Sequence, residues 1–212
     1  NLNKNFDVLN DAQKKATFHI DGPLIIIAGA GSGKTRVLTY RIAHLLNTGV
    51  DSFSILALTF TNKAAREMKS RISKIVGESE AKNLWMGTFH SIFAKILRIE
   101  ADKIGYTSSF TIYDTQDSDR LISAIIKEMG VNKELYKPKQ IRNRISTLKN
   151  SLITVETYES DLDLKEYDEI AQRPLFGKIY LEYTKRCFKS NSMDFDDLLL
   201  KTNELLKKSP EA

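Results

Sequence analysis

Lys34 and Thr35 close the run Ala28-Gly29-Ala30-Gly31-Ser32-Gly33-Lys34-Thr35, and these residue types at this spacing are suited to holding phosphate. Glycines let consecutive backbone N–H groups turn inward around an anion, and a helix N-terminus adds the positive end of its dipole. Lys34 would bring a full charge to the β- and γ-phosphates of a nucleoside triphosphate, and the Thr35 hydroxyl is placed to ligate Mg2+. The consensus form of such a loop begins with Gly, whereas Ala28 holds that position here. A plain glycine-rich turn is the simpler account. A Gly-Lys-Thr after small residues, between an apolar run and a helical pattern, is hard to obtain by chance. The loop alone leaves open which phosphoryl-transfer reaction it serves.

The flanking elements must hold that loop open. Leu24 to Ile27 is an apolar run that reads as a strand, and Arg36 to Leu46 carries an amphipathic helical pattern. Upstream, residues 8–18 read as a short helix with Asn10 as N-cap and Gln13 at the third helical position. Gln13 is then either a capping-box partner for the Asn10 backbone, or a reader of adenine, whose N6 and N7 match an amide's acceptor and donor. Spacing favours the cap.

Downstream the layout recurs. Residues 54–61 form an apolar run ending in polar residues, after which Asn62 is expected to cap an amphipathic helix with Ala65, Met68, Ile72 and Ile75 on one face. The end of a buried parallel strand is where α/β folds place ligand loops. Thr59, Thr61 and Asn62 could therefore offer hydroxyls and an amide to phosphate oxygens, or simply end a strand and start a helix. Phe60 could stack on a base or belong to the core. Residues 84–87 form a third apolar run, Thr88-Phe89-His90-Ser91 a polar turn, and 92–97 a helix. His90 could touch phosphate, although a His at a helix start is more often a cap. Residues 110–114 read as a fourth strand. The expectation is an α/β fold with a parallel sheet and right-handed crossovers.

After Asp114 the texture changes to helices. Residues 133–149 hold Lys133, Lys137, Lys139, Arg142, Arg144 and Lys149 against one acid, Glu134, and residues 156–169 hold seven acids against one Lys. The basic stretch is either a solvated helix face or a patch tracking a nucleic-acid backbone, and composition favours the former. Asp194, Asp196 and Asp197 crowd the start of a last helix over 193–206, where acids complement the helix dipole. A metal site there is the weaker reading.

The whole chain has 212 residues, room for one large domain or two small ones. No apolar run approaches the ~18 residues that span a membrane, and no secretory leader pattern opens the chain. Cys187 is the only cysteine, which excludes an internal disulfide and makes a reducing cytoplasm the expected compartment. The net charge of +5 is a mild lean towards polyanions. The chain starts at Asn1 without Met and stops just after a helical pattern, so a piece of a longer protein is expected.

Taken together, these stretches resemble the N-terminal part of the UvrD/PcrA/Rep family of superfamily 1 DNA helicases over nearly the whole chain. Leu9-Asn-Asp-Ala-Gln13 resembles the family's Q motif, and Ala28 to Thr35 followed by Arg36 its motif I, where Ala is common at the first position. Leu58-Thr-Phe-Thr-Asn-Lys-Ala-Ala65 resembles motif Ia and Gly87-Thr-Phe-His-Ser91 motif Ib. Ile112 to Asp117 resembles the entry to an inserted subdomain, and Met193 to Leu198 the return from it. The resemblance implies that Gln13 reads adenine, that Arg36 lies near the nucleotide, and that Thr59, Phe60, Thr61, Asn62, Lys63, Thr88, Phe89 and His90 hold single-stranded DNA. It implies a RecA-like subdomain made of 1–114 plus 191–212, and a helical insert, 115–190, that lies against duplex. ATP and Mg2+ are the implied cofactors, with single-stranded DNA and single/double-strand junctions as partners and a monomer as the expected state. The family's acidic Walker B segment and second RecA-like domain, with its arginine finger, would lie beyond residue 212. The implied parent moves 3′ to 5′ along single-stranded DNA in repair or replication, and the fragment alone is expected to be inactive. Rival readings are a helicase–nuclease type motor, a P-loop nucleotide kinase, and a DNA-binding module whose loop is only structural.

Overall fold

The computed structural model describes residues 6–212, and the chain divides into two compact units between Ile92 and Phe93. The first five residues of the expected 1–114 segment lie outside the described residues. No helix among those described is long and apolar enough to cross a membrane.

In the first unit, Asn10 caps α1 (Asp11–Phe18) with a complete capping box: Asn10 accepts from the Gln13 N–H at 2.9 Å, and Gln13 accepts from the Asn10 N–H at 3.0 Å. Helix α2 (Lys34–Asn47) lies against α1, and Arg41 fixes the pair by donating to the carbonyls of Ala16, at 3.0 Å, and His19. These carbonyls belong to the end of α1, where the helix has no partners of its own. Strands β1 (Leu56–Thr59) and β2 (Trp85–Thr88) pair in parallel, with Thr59 opposite Thr88. Helices α3 (Asn62–Val76) and α4 (Glu78–Asn83) make the crossover. Ile42, Ala57, Met68, Ile72, Ala81 and Leu84 form the core between them.

Three expectations change here. Leu24 to Ile27 forms no ladder with any described strand, because a strand exists only through a partner's backbone. Its exposure still alternates, at 39, 86, 39 and 94%, as an extended segment's would. The cap of α3 is Thr61, which accepts from the Ala64 N–H at 3.1 Å, so Asn62 is already helical. Residues 89–91 are the first turn of α5 (Phe89–Ile99) and not a separate turn, since Thr88 caps that helix by accepting from the Ser91 N–H at 3.3 Å.

In the second unit, β3 (Thr111–Tyr113) pairs in parallel with β4 (Ser192–Asp194). The expected single sheet is therefore two separate two-stranded sheets. Strand β4 occupies residues read as a helix start, and α11 begins only at Asp197 (Asp197–Lys208). Between the strands run α6 (Thr115–Glu128), α7 (Pro138–Asn150), α8 (Val155–Ser160), α9 (Leu162–Ile170) and α10 (Phe176–Lys189). They share one core that includes Ile122, Ile126, Ile141, Ile145, Phe176 and Tyr180. A second core gathers Leu97, Phe110, Met193, Leu198 and Leu205.

Lys149 lies beneath these cores at 1% exposure, donating to Asp194 at 2.7 Å and pairing with Asp197 at 2.8 Å. Burial pushes the Cys187 thiol up to about 12. The thiol, 2% exposed, should accordingly resist alkylation at pH 8 and label only as the second unit unfolds. Stopped-flow labelling under native conditions and in urea checks this.

Candidate functional site

The phosphate loop is built on left-handed glycines. Gly31 has φ +78°, and Gly33, the N-cap of α2, has φ +86°, both in a region that β-carbons disfavour. The Lys34 ammonium curls over the loop and donates to the carbonyls of Ala28 at 2.6 Å and Gly29 at 2.7 Å. Ser32 Oγ donates to the same Gly29 carbonyl at 2.7 Å. Lys34, Thr35 and Arg36 are all exposed on the first turn of α2. Ala30 tops the loop in the open. The carbonyls carry only partial charge, so the ammonium would exchange them favourably for the full negative charge of phosphate oxygens.

Gln13 is the capping-box partner that its spacing favoured, and it also reaches the phosphate loop. Its backbone and Oε1 complete the capping box, and its Nε2 also donates to the Ser32 carbonyl at 3.1 Å. Helix α1 therefore does stand beside the phosphate loop. Arg41, which no motif pointed to, holds α1 there, and only a contact 25 residues away in sequence reveals it. A β-carbon at Gly33 would sit 2.7 Å from Gln13 Nε2. Gly33→Ala should thus strain the backbone by about 1–2 kcal/mol and push Gln13 off the loop. The expected result is weaker fluorescent-nucleotide binding.

Thr35 offers one hydroxyl for a metal. Among the described residues no group of three His, Cys, Asp or Glu stands together to hold a metal ion. A single hydroxyl fits Mg2+, which takes few protein ligands and otherwise keeps waters and phosphate oxygens.

The second cluster lies at the carboxyl ends of β1 and β2. Their register sets Thr59 beside Thr88, so the residues that follow, Phe60 and Phe89, emerge together with ring centroids 5.3 Å apart. Phe60 is 91% exposed, which decides between core and surface in favour of surface. Thr59 Oγ1 donates to the Thr61 carbonyl at 3.2 Å, and Thr88 Oγ1 to Ser91 Oγ at 2.9 Å. Asn62 and Lys63 lie exposed on the first turn of α3, and His90 lies half-buried on the first turn of α5. The structure thus brings together two helix N-termini and a pair of aromatic rings. That combination suits a phosphate backbone with stacked bases.

The basic stretch 133–149 is largely spent on the fold. Arg142 donates to Asp119 at 2.7 Å. Arg144 pairs with buried Asp168 at 3.0 Å and covers the Tyr167 ring at 4.4 Å, and Lys149 is buried. Lys133, Lys137 and Lys139 remain outside these pairs, with Glu134 3.9 Å from Lys137. Charge reversal at Arg144 would strand Asp168 and should cost the fold about 3–5 kcal/mol. Reversal of Lys133, Lys137 and Lys139 should leave urea stability within about 0.5 kcal/mol, and so isolates any effect on duplex affinity. The acids at 194–197 hold no metal geometry either. Asp194 and Asp197 bond each other's N–H and share the Lys149 ammonium.

Comparison with known proteins adds a further finding. A family model described as UvrD/REP helicase N-terminal domain matches residues 9–212. The ATP-dependent DNA helicase PcrA of Bacillus subtilis strain 168 is 43% identical over 204 residues, which are 96% of this chain and 27% of that protein. PcrA of Staphylococcus epidermidis RP62A is 42% identical over 204 residues. PcrA of Staphylococcus aureus Mu50 is 41% identical over 211 residues, 99% of this chain and 28% of that protein. The chain spans about a quarter of the length of these relatives.

Proposed function

Since the chain belongs to the UvrD/REP helicase family, we propose that it is the ATP-binding N-terminal portion of a DNA helicase that translocates on single-stranded DNA. The observation that carries this reading is the register of β1 and β2. It aligns Thr59 with Thr88 and delivers Phe60 and Phe89 side by side, next to two helix N-termini. An exposed Phe60 ring braced against Phe89 offers a stacking platform for the bases of a single strand, which a nucleotide kinase does not require.

In this reading Lys34 and the glycine-loop N–H groups grip the triphosphate, and Thr35 contributes one oxygen to Mg2+. Mg2+ held by Thr35 would supply neutralisation of the charge that develops on the phosphate oxygens. Gln13, held by α1, reads adenine with the hydrogen-bonding capacity its cap leaves over, and Arg36 stands near the nucleotide. Thr59, Phe60, Thr61, Asn62, Lys63, Thr88, Phe89 and His90 hold the single strand. Residues 1–114 with 191–212 make the RecA-like subdomain and 115–190 its helical insert. The separate cores on Ile122 and on Met193 support that division. The parent protein works in the cytoplasm in repair or replication, as a monomer, moves 3′ to 5′, and engages single/double-strand junctions.

Hydrolysis needs acids to orient water and an arginine to stabilise the transition state. We place both in the remainder of the protein, in keeping with the 27% of a relative's length spanned here. The purified 212-residue chain should therefore bind ATP weakly and not turn it over. Turnover by this chain, lost in Lys34→Ala, would refute that part.

The whole reading is tested on the full-length protein by comparing ATPase rates with and without single-stranded DNA. Phe60→Ala should weaken binding of a fluorescent single strand about 10- to 100-fold, the worth of roughly 1–3 kcal/mol of stacking. Nucleotide affinity should not change. An ATPase indifferent to DNA, or a Phe60→Ala protein with unaltered strand binding, would overturn the proposal.

A further inference from the structure

Helix α9 is apolar on the wrong side. Leu164 and Asp168 face inward, the first packed on the helical core and the second bonded to Arg144 and to the Tyr158 hydroxyl at 3.1 Å. Helical spacing puts Leu162, Glu166 and Ile170 on the opposite side, at i, i+4 and i+8. Leu162 is 78% exposed and Ile170 77%. A surface helix normally turns only one apolar stripe to its protein and keeps the other face polar. Here two large aliphatic side chains stand in water at the ends of a line about 12 Å long, from the rise of an α-helix.

Acids surround that line. Asp163, Glu166 and Glu169 are exposed on α9, and Glu156 is exposed on the neighbouring α8. Lys165, the one cation in the stretch, is paired with Glu159 at 3.0 Å. The local charge is strongly negative within a chain whose net charge is +5. Such a face repels a phosphate backbone, so it is not a nucleic-acid surface. A second copy of the chain would set acids against acids across an isologous two-fold contact. The complement that remains is a cationic segment with apolar side chains spaced to meet Leu162 and Ile170.

We propose that the outer face of α9 is a docking surface for a basic amphipathic helix of a partner protein, anchored on Leu162 and Ile170 and steered by Asp163, Glu166 and Glu169. The aliphatic pair supplies the buried area, and the acids supply on-rate and choice of partner. The proposal stands independently of the nucleotide and DNA sites.

The test uses full-length protein and a fluorescein-labelled 18-residue peptide of Lys, Arg and Leu. Leucines sit on one helical face, and a scrambled peptide of the same composition serves as control. Anisotropy should show saturable binding of the patterned peptide, at least about tenfold tighter than the scramble, a difference of about 1.4 kcal/mol. Leu162→Ser with Ile170→Ser should weaken it at least about tenfold, as should Glu166→Lys with Glu169→Lys, while both proteins keep wild-type ATPase. Equal affinity for the scramble would overturn the proposal, as would unchanged affinity in either double variant. So would self-association in sedimentation that Leu162→Ser with Ile170→Ser abolishes.

Discussion

Lys149→Met will destabilise the second unit by about 3–5 kcal/mol, because it removes the one cation from between two buried carboxylates. Methionine fits the lysine stem, so the loss measures charge and not volume. Each partner is also wired to the backbone: Asp194 accepts from the Asp197 N–H, and Asp197 from the Asp194 N–H. Tyr183 donates a further hydrogen bond to Asp194 at 3.0 Å and shares Ser118 at the same distance. The three groups titrate differently. Burial opposes the charge on Lys149, but Asp197 and Asp194 outweigh it and hold the ammonium well above its ordinary 10.5. Burial raises the Asp194 carboxyl, and Lys149, the Asp197 N–H and Tyr183 more than reverse this, leaving it below 3.8. Burial, with Asp194 alongside, leaves Asp197 above 3.8 despite Lys149.

The signs follow from linkage. Lys149 contributes fully below 10.5, and its contribution is lost as pH rises through its higher native value. Asp194 contributes above 3.8, and its contribution is lost as pH falls through its lower native value. Asp197 works the other way, since ionising it costs the native state. Asp194→Asn should therefore cost several-fold more stability at pH 7 than Asp197→Asn and should flatten the acid limb. Urea unfolding of the purified chain at pH 3, 5 and 7, read by far-ultraviolet circular dichroism, gives the stability at each pH. Equal costs for the two asparagines would refute the assignment of roles.

How far the sequence reached depends on whether a feature is local. The capping box at Asn10 and Gln13, the left-handed glycines before Lys34, and the helix after Thr61 are decided by neighbours within a few residues, and spacing shows them. Strand β4 is decided by Thr111 to Tyr113, some 80 residues earlier in the chain, which supply its ladder. Ser192-Met-Asp194 alone, followed by acids, reads as a helix start. The acids at 194 and 197 likewise matched dipole complementation until Lys149 appeared against them from α7. The basic stretch misled for the same reason. Arg142, Arg144 and Lys149 are bonded to residues 23 to 45 positions away, which composition cannot register. Leu24 to Ile27 shows the converse: its pattern is that of a strand, and no described segment pairs with it.

In the full-length protein, Lys34→Ala will lower DNA-stimulated ATP hydrolysis by at least about 10²- to 10³-fold, the loss of one preorganised group on the developing charge at roughly 2.7–4 kcal/mol. The ammonium's present partners show why the effect falls on the reaction and not on the fold. Ala28 and Gly29 carbonyls on an exposed loop hydrate readily once the lysine is gone, so thermal stability should move by less than about 0.5 kcal/mol. Lys34→Arg should not rescue, since a planar guanidinium cannot place a compact point charge between two phosphates. Thr35→Ala should differ in kind, with lost activity partly restored by raised Mg2+, because only one of the metal's several ligands is removed. Single-stranded DNA affinity without nucleotide should be unchanged in all three, because the residues proposed to hold the strand follow β1 and β2 and make no contact with Lys34 in the hydrogen bonds it forms. A Lys34→Ala protein that hydrolyses ATP at the wild-type rate would show that the loop is only a structural turn, and the nucleotide half of the proposal would go with it.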